Sequence, residues 1–511
     1  MRLINQRMEK NSKAEEDERQ KREPFLEACI AYMNSDPAPF DVPGHKMGHW
    51  TDDLVQYAGD KVFQSDFNAP IGLDNLYNPH GVIKEAEELA AEAFHAEHAI
   101  FSVNGTTGGI ITMMTALIPA KGKIILPRNV HKSVINGLII SGSYPVFVMP
   151  DTDKETGIAN GVAFEDYKKA IDENPDAKAV FVINPTYFGI VSDLKKIVRY
   201  AHAKGMIVMT DEAHGAHFVF SKEMPCSAMD AGADVSTLSV HKTAGSLTQT
   251  SLILLQGRRV DYLRVFKVFS MFSSTSPNHV LIASLDAARK AMYFDGAGLI
   301  HNSVVLAKKA AEAINALPGL SVLDDSYLNM KGRFGRDPSK VVINVSGLGI
   351  TGFKVYHTLR EKFNIQLELA EVSEVLAIFG LGTTERDTKR LIAGFTWLSK
   401  EYYGKKEKLK IPHFDYHYPR LLVRPRDAFN APAKVVKMKD SLGEISAEAI
   451  MIYPPGIPVI IPGEVISQNT IDLLNFYKKN QGVLLSDSPE GMIKVVDQSK
   501  WYMTEDLHLN D

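Results

Sequence analysis

The sequence predicts an α/β protein built round a mainly parallel sheet, with a smaller α/β domain and a further segment behind it. Three observations lead there. Apolar runs of about five residues alternate with helical patterns between Ala99 and Val240, and strands covered on both faces of a parallel sheet read as such continuous runs. The 511 residues exceed what one hydrophobic core organises, so two or three domains are expected. Hydrophobic residues at 45% and charged residues at 23% are the proportions of an ordinary globular protein.

Composition also excludes function classes. A net charge of −4 argues against a general nucleic-acid binder, which is usually basic. No apolar run reaches the length of a membrane-spanning helix, so no membrane partner is expected. The N-terminus is charged and lacks the apolar core of a signal peptide. The two cysteines, Cys29 and Cys226, are far apart and outside any CxxC spacing, which supports neither disulfides nor a zinc framework. A reducing cytoplasm is the expected setting.

Taken in order, residues 6–24 are nearly all polar or charged and read as a solvated helix or frayed arm. Phe40–Gly48 and Leu73–Gly81 are turn-rich, and His45 in the first block is a candidate ligand-contacting residue. An amphipathic helix is predicted over about Val82–Phe94. Strands are predicted at Ala99–Val103, Lys123–Pro127, Pro145–Met149, Ala179–Ile183, Met206–Thr210 and Val235–Val240. Helices are predicted between them, at Gly109–Leu117, from about Ser133, at Phe164–Glu173 and at Leu194–Ala203. A strand-like run, Leu252–Leu255, follows. Leu281–Tyr293 and His301–Leu317 read as two helices. Shorter strands and helices alternate from Pro318 to about Arg390, and four prolines within Tyr453–Glu464 rule out a regular helix there.

In parallel sheets ligands bind beyond the carboxyl ends of the strands, and those ends carry the chemistry here. The first offers Asn104-Gly-Thr-Thr-Gly-Gly109 leading into a helix. Its glycines permit close backbone approach, and a helix N-terminus favours an anion such as phosphate. The next ends offer Arg128–Ser133 with His131, Asn184–Gly189, Asp211–His217, and His241 with Lys242. Lys242 sits behind an apolar run, and burial among apolar neighbours lowers a lysine pKa and makes the amine a nucleophile. Asp211, Glu212, His214 and His217 also invite a metal reading, but no HExxH spacing exists and no metal is expected. Gly347-Leu-Gly-Ile-Thr-Gly352 imitates a dinucleotide fingerprint, with Glu368 near the distance of a ribose-binding acid, yet a tight turn into a packed helix explains it equally well.

A nucleophilic lysine, a carboxylate after a neighbouring strand, an imidazole and a phosphate-binding loop describe one cofactor site. Pyridoxal 5′-phosphate has an aldehyde for the lysine, a phosphate for the loop, and a ring nitrogen that a carboxylate keeps protonated.

The run Thr237-Leu-Ser-Val-His-Lys-Thr-Ala-Gly-Ser-Leu-Thr-Gln-Thr-Ser251 resembles the signature of the Orn/Lys/Arg decarboxylases, fold-type I pyridoxal-phosphate enzymes. PGHKMG ending at Gly48, PRNVHKS ending at Ser133, NPTYFG ending at Gly189, the Asp211–His217 block and PPGIPVIIPGE ending at Glu464 resemble family blocks in family order. The resemblance spans about residues 38–500, and the length is similar to that of the short, Gram-positive-type arginine decarboxylases. It implies an aspartate-aminotransferase-like large domain and decarboxylation of a basic L-amino acid. Arginine to agmatine is favoured over lysine to cadaverine or ornithine to putrescine.

By position, the resemblance makes Lys242 the Schiff-base lysine, Asp211 the partner of the ring nitrogen and His131 the residue stacked on the ring. Gly105, Thr106, Thr107 and Ser239, with His241, hold the phosphate; Ala213 packs under the ring and His214 lines the pocket. Ser274-Thr-Ser-Pro277 resembles a segment that reaches the active site across a dimer interface, so a homodimer or dimer-based oligomer is expected. Glu464 is a candidate acid for the distal end of the substrate, as are acids near Glu368–Glu371. Two stretches depart from the family: Leu76-Tyr-Asn-Pro79, where relatives usually have Leu-His-x-Pro, and Asn278-His-Val280, where relatives often place an aromatic residue. The expected division is a charged arm over 1–37, a large cofactor-binding domain over 38–300, a small α/β domain over 301–405 and a C-terminal decarboxylase domain over 406–511. Aminotransferase or lyase chemistry on the same fold, and a catalytically silent homologue, are the rival readings.

Overall fold

The computed structural model describes residues 13–50, 52–154, 156–328, 330–410, 419–453, 456–480 and 482–501. Eight strands fall in the first half of the chain. They are β1 (His98–Ser102), β2 (Lys123–Pro127), β3 (Tyr144–Val148), β4 (Ala179–Ile183), β5 (Ile190–Val191), β6 (Ile207–Asp211), β7 (Val235–Leu238) and β8 (Ser251–Leu255). All but β5 form one sheet in the order β1-β8-β7-β6-β4-β2-β3. The expected strands match these within about two residues. β2 runs parallel to β3 and β4, whereas β8 runs antiparallel to both β1 and β7. The mixed character has a simple cause: between β7 and β8 the chain makes one helical turn, Val240–Thr243, and no full crossover helix. A parallel return needs such a crossover; an antiparallel one does not.

Two compact units make up the chain. One contains residues up to Thr112, Asp211–Lys222 and Cys226–Ile300; the other contains Met113–Thr210, Glu223–Pro225 and His301 onward.

In the first unit, helix Val82–Ala93 buries Ile83, Ala86, Leu89, Ala90 and Ala93, the one-face spacing of an amphipathic helix. Its N-terminus is capped from the turn-rich block before it: Asp74 Oδ2 accepts from Gly81 N at 2.8 Å and Ile83 N at 3.1 Å. Residues 13–20 are helical and end in a deeply buried clamp, so this part is no frayed arm. Arg289 Nη1 donates to Gln20 O at 2.6 Å and Gln20 Oε1 at 3.0 Å, its Nη2 pairs with Asp286 at 2.8 Å, and Asp286 accepts from Phe25 N at 2.9 Å. Residues 1–12 of the expected arm lie outside the described residues. The two helices expected after Leu281 are one, His279–Asn315. Gly296 and Gly298 suggest a break, but a Cβ on Gly296 would come 3.2 Å from Phe220 Cβ. Its missing side chain serves close packing, which outweighs the roughly 1 kcal/mol propensity penalty.

In the second unit, helices Phe164–Glu173 and Leu194–Ala203 turn apolar faces inward, and Asp193 caps the latter through Lys196 N at 3.3 Å. The next strands are β9 (Ser321–Val322), β10 (Gly335–Arg336), β11 (Lys340–Asn344), β12 (Leu369–Ala370) and β13 (Glu374–Ile378). β10 pairs with β5, and the others form a sheet ordered β12-β13-β11-β9 with antiparallel pairs throughout. Val341, Ile343, Val375, Leu359, Phe395 and Leu398 make its core. The fingerprint-like glycines thus stand in no parallel β-α-β unit. A Cβ on Gly352 would lie 2.3 Å from the Glu371 and Glu374 carbonyls, so that glycine answers to packing. Last come β14 (Ala433–Lys437), β15 (Ile450–Tyr453), β16 (Ile457–Ile460), β17 (Val483–Leu485) and β18 (Met492–Val496), in sheets β16-β15-β17 and β14-β18. Ile450, Ile460, Leu474, Ile493 and Val495 are buried together there. Pro454 and Pro455 of the proline-rich block lie outside the described residues. Among the described residues no helix is long and apolar enough to cross a membrane.

Candidate active site

The first unit carries the chemistry at three neighbouring strand ends. Asp211 closes β6 and is buried. Its Oδ1 accepts from Ala213 N at 3.0 Å. Burial pushes the Asp211 carboxyl above its ordinary range, and the Ala213 amide and the Lys242 charge pull it back. A buried carboxylate of this kind gains most from a cationic N–H donor beside it. The turn after it is held by Glu212, also buried. The Glu212 amide donates to Thr237 O at 2.8 Å, and its carboxylate accepts from Ala228 N at 2.7 Å and Ser236 Oγ at 2.8 Å. Glu212 is therefore a brace between the ends of β6 and β7. Among the described residues no three His, Cys, Asp or Glu side chains are grouped to hold a metal ion.

Past β7, Ser239 opens the turn Val240–Thr243, which carries Lys242. The sequence places Lys242 among apolar neighbours; the structure corrects this. The turn lifts the side chain clear of the β7 core, and Lys242 is exposed. Its Nζ lies 3.1 Å from Nε2 of the buried His214. Amine, imidazole and carboxylate thus come from two adjacent strand ends.

The third end follows β1. The helix expected from Gly109 begins at Gly105, which puts Thr106 and Thr107 in its first turn, where backbone N–H groups have no intrahelical partner. Gly105 has φ +62°, a conformation that favours glycine. Thr106 Oγ1 and Ser239 Oγ lie 2.7 Å apart, so the two hydroxyls expected to serve one anion share one place. Thr107 is exposed. A Cβ on Gly109 would come 2.1 Å from Thr237 Oγ1, so glycine is what lets this helix lie against β7. His241 stands apart from the hydroxyls in role. Burial lowers its imidazole pKa, and its Nδ1 lies 2.7 Å from Thr250 O. A neutral ring donating there presents a lone pair at Nε2, which suits a strut better than a phosphate donor.

The other expected site residues lie elsewhere. His131 belongs to the second unit, where it caps helix Lys132–Ser141: its Nδ1 accepts from Ser133 N at 3.2 Å. This leaves the ring plane fixed and Nε2 pointing away from the cap. His45 has both nitrogens engaged, Nε2 with Asp66 Oδ2 at 3.1 Å and Nδ1 with Gly48 N at 3.2 Å. Glu464 is corrected outright as a substrate acid. It is fully buried, and its carboxylate accepts from Arg128 Nε at 2.9 Å, Arg128 Nη2 at 2.8 Å and Ile461 N at 3.0 Å. Glu368 accepts from Tyr187 Oη at 2.7 Å, and Glu371 from Tyr477 Oη at 3.1 Å. Sequence reasoning gave no role to Glu212 as a brace, Arg128 as a buried partner, or Gln249. No periodicity marks such residues, because each acts on atoms distant in the chain.

Residues 23–387 match the family description Orn/Lys/Arg decarboxylase, major domain, and residues 413–484 match Orn/Lys/Arg decarboxylase, C-terminal domain. The chain is 42% identical over 474 residues to an arginine decarboxylase of Halalkalibacterium halodurans, covering 92% of this chain and 96% of that one. It is 40% identical over 486 residues to an arginine decarboxylase of Bacillus subtilis, covering 93% and 98%. Among solved structures, the Francisella novicida lysine decarboxylase LdcF superposes with a TM-score of 0.80 at 21% identity, over 93% of this chain and 81% of that one.

Proposed function

The chain belongs to the Orn/Lys/Arg decarboxylase family, and from that premise we propose that it binds pyridoxal 5′-phosphate and decarboxylates arginine to agmatine. The observation that carries the cofactor reading is the grouping of Lys242 Nζ, His214 Nε2, Asp211 and the Thr106–Ser239 hydroxyl pair within one unit. The residues fit the group: an accessible amine, a buried carboxylate in want of a cation, and hydroxyls at a helix N-terminus beside a positive-φ glycine. Arginine is favoured by the names of the relatives at 40–42% identity. A cytoplasmic setting and the four-part division at residues 37, 300 and 405 belong to the same proposal.

When bound, the cofactor supplies a carbonyl for amines and a cationic ring that takes up the electron pair left by a departing carboxyl group. Asp211 would hold the charge on the ring nitrogen in place. Thr106, Thr107 and Ser239 would hold the phosphate oxygens, with Gly105 shaping the turn that presents them. Ala213 and His131 would be the residues that pack against the ring, His131 with an imidazole held by its cap. Lys242 Nζ would deliver a proton to the substrate α-carbon, with His214 Nε2 in reach of that amine to exchange it. Incubation of the pyridoxal-phosphate-loaded protein with arginine, lysine and ornithine in turn should release carbon dioxide and agmatine from arginine fastest. Borohydride reduction should then leave a pyridoxyl label on the peptide containing Lys242. A label elsewhere would overturn the site, and keto-acid formation without carbon dioxide would favour an aminotransferase.

A further inference from the structure

Gln249 is a side chain the chemistry above does not use, yet the backbone around it is unusual. It has φ +86°, a left-handed conformation that residues other than glycine rarely adopt and that collects at functional sites. From there it makes two bonds to one turn. Its carbonyl accepts from Gly105 N at 2.8 Å, and its Nε2 donates to Val103 O at 2.6 Å. Both targets flank Asn104, at the point where β1 gives way to the helix carrying Thr106 and Thr107. The bonds therefore run from the loop after Lys242 to the loop that holds the hydroxyls.

The clamp is itself anchored. Thr250 Oγ1 donates to Leu247 O at 2.6 Å and lies 2.5 Å from Ser246 Oγ, while Thr250 O meets His241 Nδ1 at 2.7 Å. His241 adjoins Lys242 in sequence, so the turn that positions the amine also braces the turn that shapes the cradle. On the cradle side Asn104 Nδ2 donates to Phe272 O at 3.3 Å, a second tether on the same turn. Gly105, whose φ is +62°, adopts its conformation with its amide already committed to Gln249.

We infer that Gln249 is a positioning residue for the phosphate cradle: it clamps the Val103–Gly105 turn in its anion-binding shape before any anion arrives. This rests on the pyridoxal-phosphate reading of the site. The clamp lowers the cost of ordering the loop on binding, which is how preorganisation raises affinity. Since it acts only through the loop that meets phosphate, its effect is specific to ligands that carry one.

The test uses apo-protein titrated with pyridoxal phosphate and, separately, with pyridoxal, following protein fluorescence and the visible band. Gln249→Ala should raise the pyridoxal-phosphate Kd about tenfold or more and leave the pyridoxal Kd within about twofold of wild type. Gln249→Glu, which sets a carboxylate against the Val103 carbonyl, should do the same. Gln249→Gly tolerates φ +86° and keeps the carbonyl bond, so it should fall between Ala and wild type; it carries the comparison if Ala does not fold. The phosphorus-31 resonance of bound cofactor should shift or broaden in the Ala and Glu variants. Equal weakening for both ligands, or an unchanged pyridoxal-phosphate Kd, would overturn the assignment. Failure of the wild-type protein to bind either ligand would overturn the cofactor reading instead.

Discussion

At the scale of single residues, burial separates chemistry from scaffolding more sharply than residue type does. Glu464 and Lys242 both stand in family-like motifs, and the structure reverses the expected environment of each. Glu464 is a fully buried acid bonded to a fully buried Arg128. Removing one member of such a pair strands the other charge and costs about 3–5 kcal/mol. Glu464→Gln should therefore lower the denaturant midpoint substantially, while the KM for substrate of the folded fraction stays at the wild-type value. A raised KM with unchanged stability would return Glu464 to the substrate. The sequence could not reveal this partner, because Arg128 lies 336 positions away and its motif, PRNVHKS, reads as a polar loop. Asp211, Ser239 and Thr106 were legible because each ends or follows an apolar run that can only be a buried strand.

At the scale of elements, strand existence and position came through because continuous apolar runs demand burial. Direction did not, since nothing in the run Leu252–Leu255 says which way β8 points; the short connection through Lys242 decides it. Helix Val82–Ala93 shows what an element can hide. Its Glu87 is buried against the sheet edge, where Oε1 accepts from Phe101 N at 3.0 Å. Burial raises its pKa from 4.5 to about 8, with the Phe101 amide opposing. Below about pH 4.5 both folded and unfolded chains hold this proton and no penalty arises. From there to about pH 8 the unfolded chain ionises while the folded one does not, so stability falls as pH rises and levels off above. Glu87→Gln keeps the acceptor for Phe101 and cannot ionise. Its melting temperature relative to wild type should climb between pH 5 and pH 8, by roughly several degrees. A difference that stays constant with pH would show that Glu87 ionises normally in the fold.

At the scale of the whole molecule, large apolar side chains stand in water along residues 40–71: Phe40, Trp50, Tyr57 and Ile71 are each more than three-quarters exposed. Such patches mark association surfaces. The homodimer expected from the sequence would cover this stretch with a second copy, and sedimentation should then give twice 56.6 kDa. Trp50→Glu combined with Tyr57→Glu should shift the protein toward monomer at micromolar concentration; an unchanged sedimentation coefficient would put the contact elsewhere. The Arg128–Glu464 pair has a consequence for synthesis as well. Glu464 leaves the ribosome 336 residues after Arg128, which at bacterial and eukaryotic elongation rates is roughly 15–70 s. Throughout that interval the Arg128 guanidinium lacks the Glu464 carboxylate that it meets in the folded chain. The buried pair can therefore be completed only after the C-terminal segment has been made.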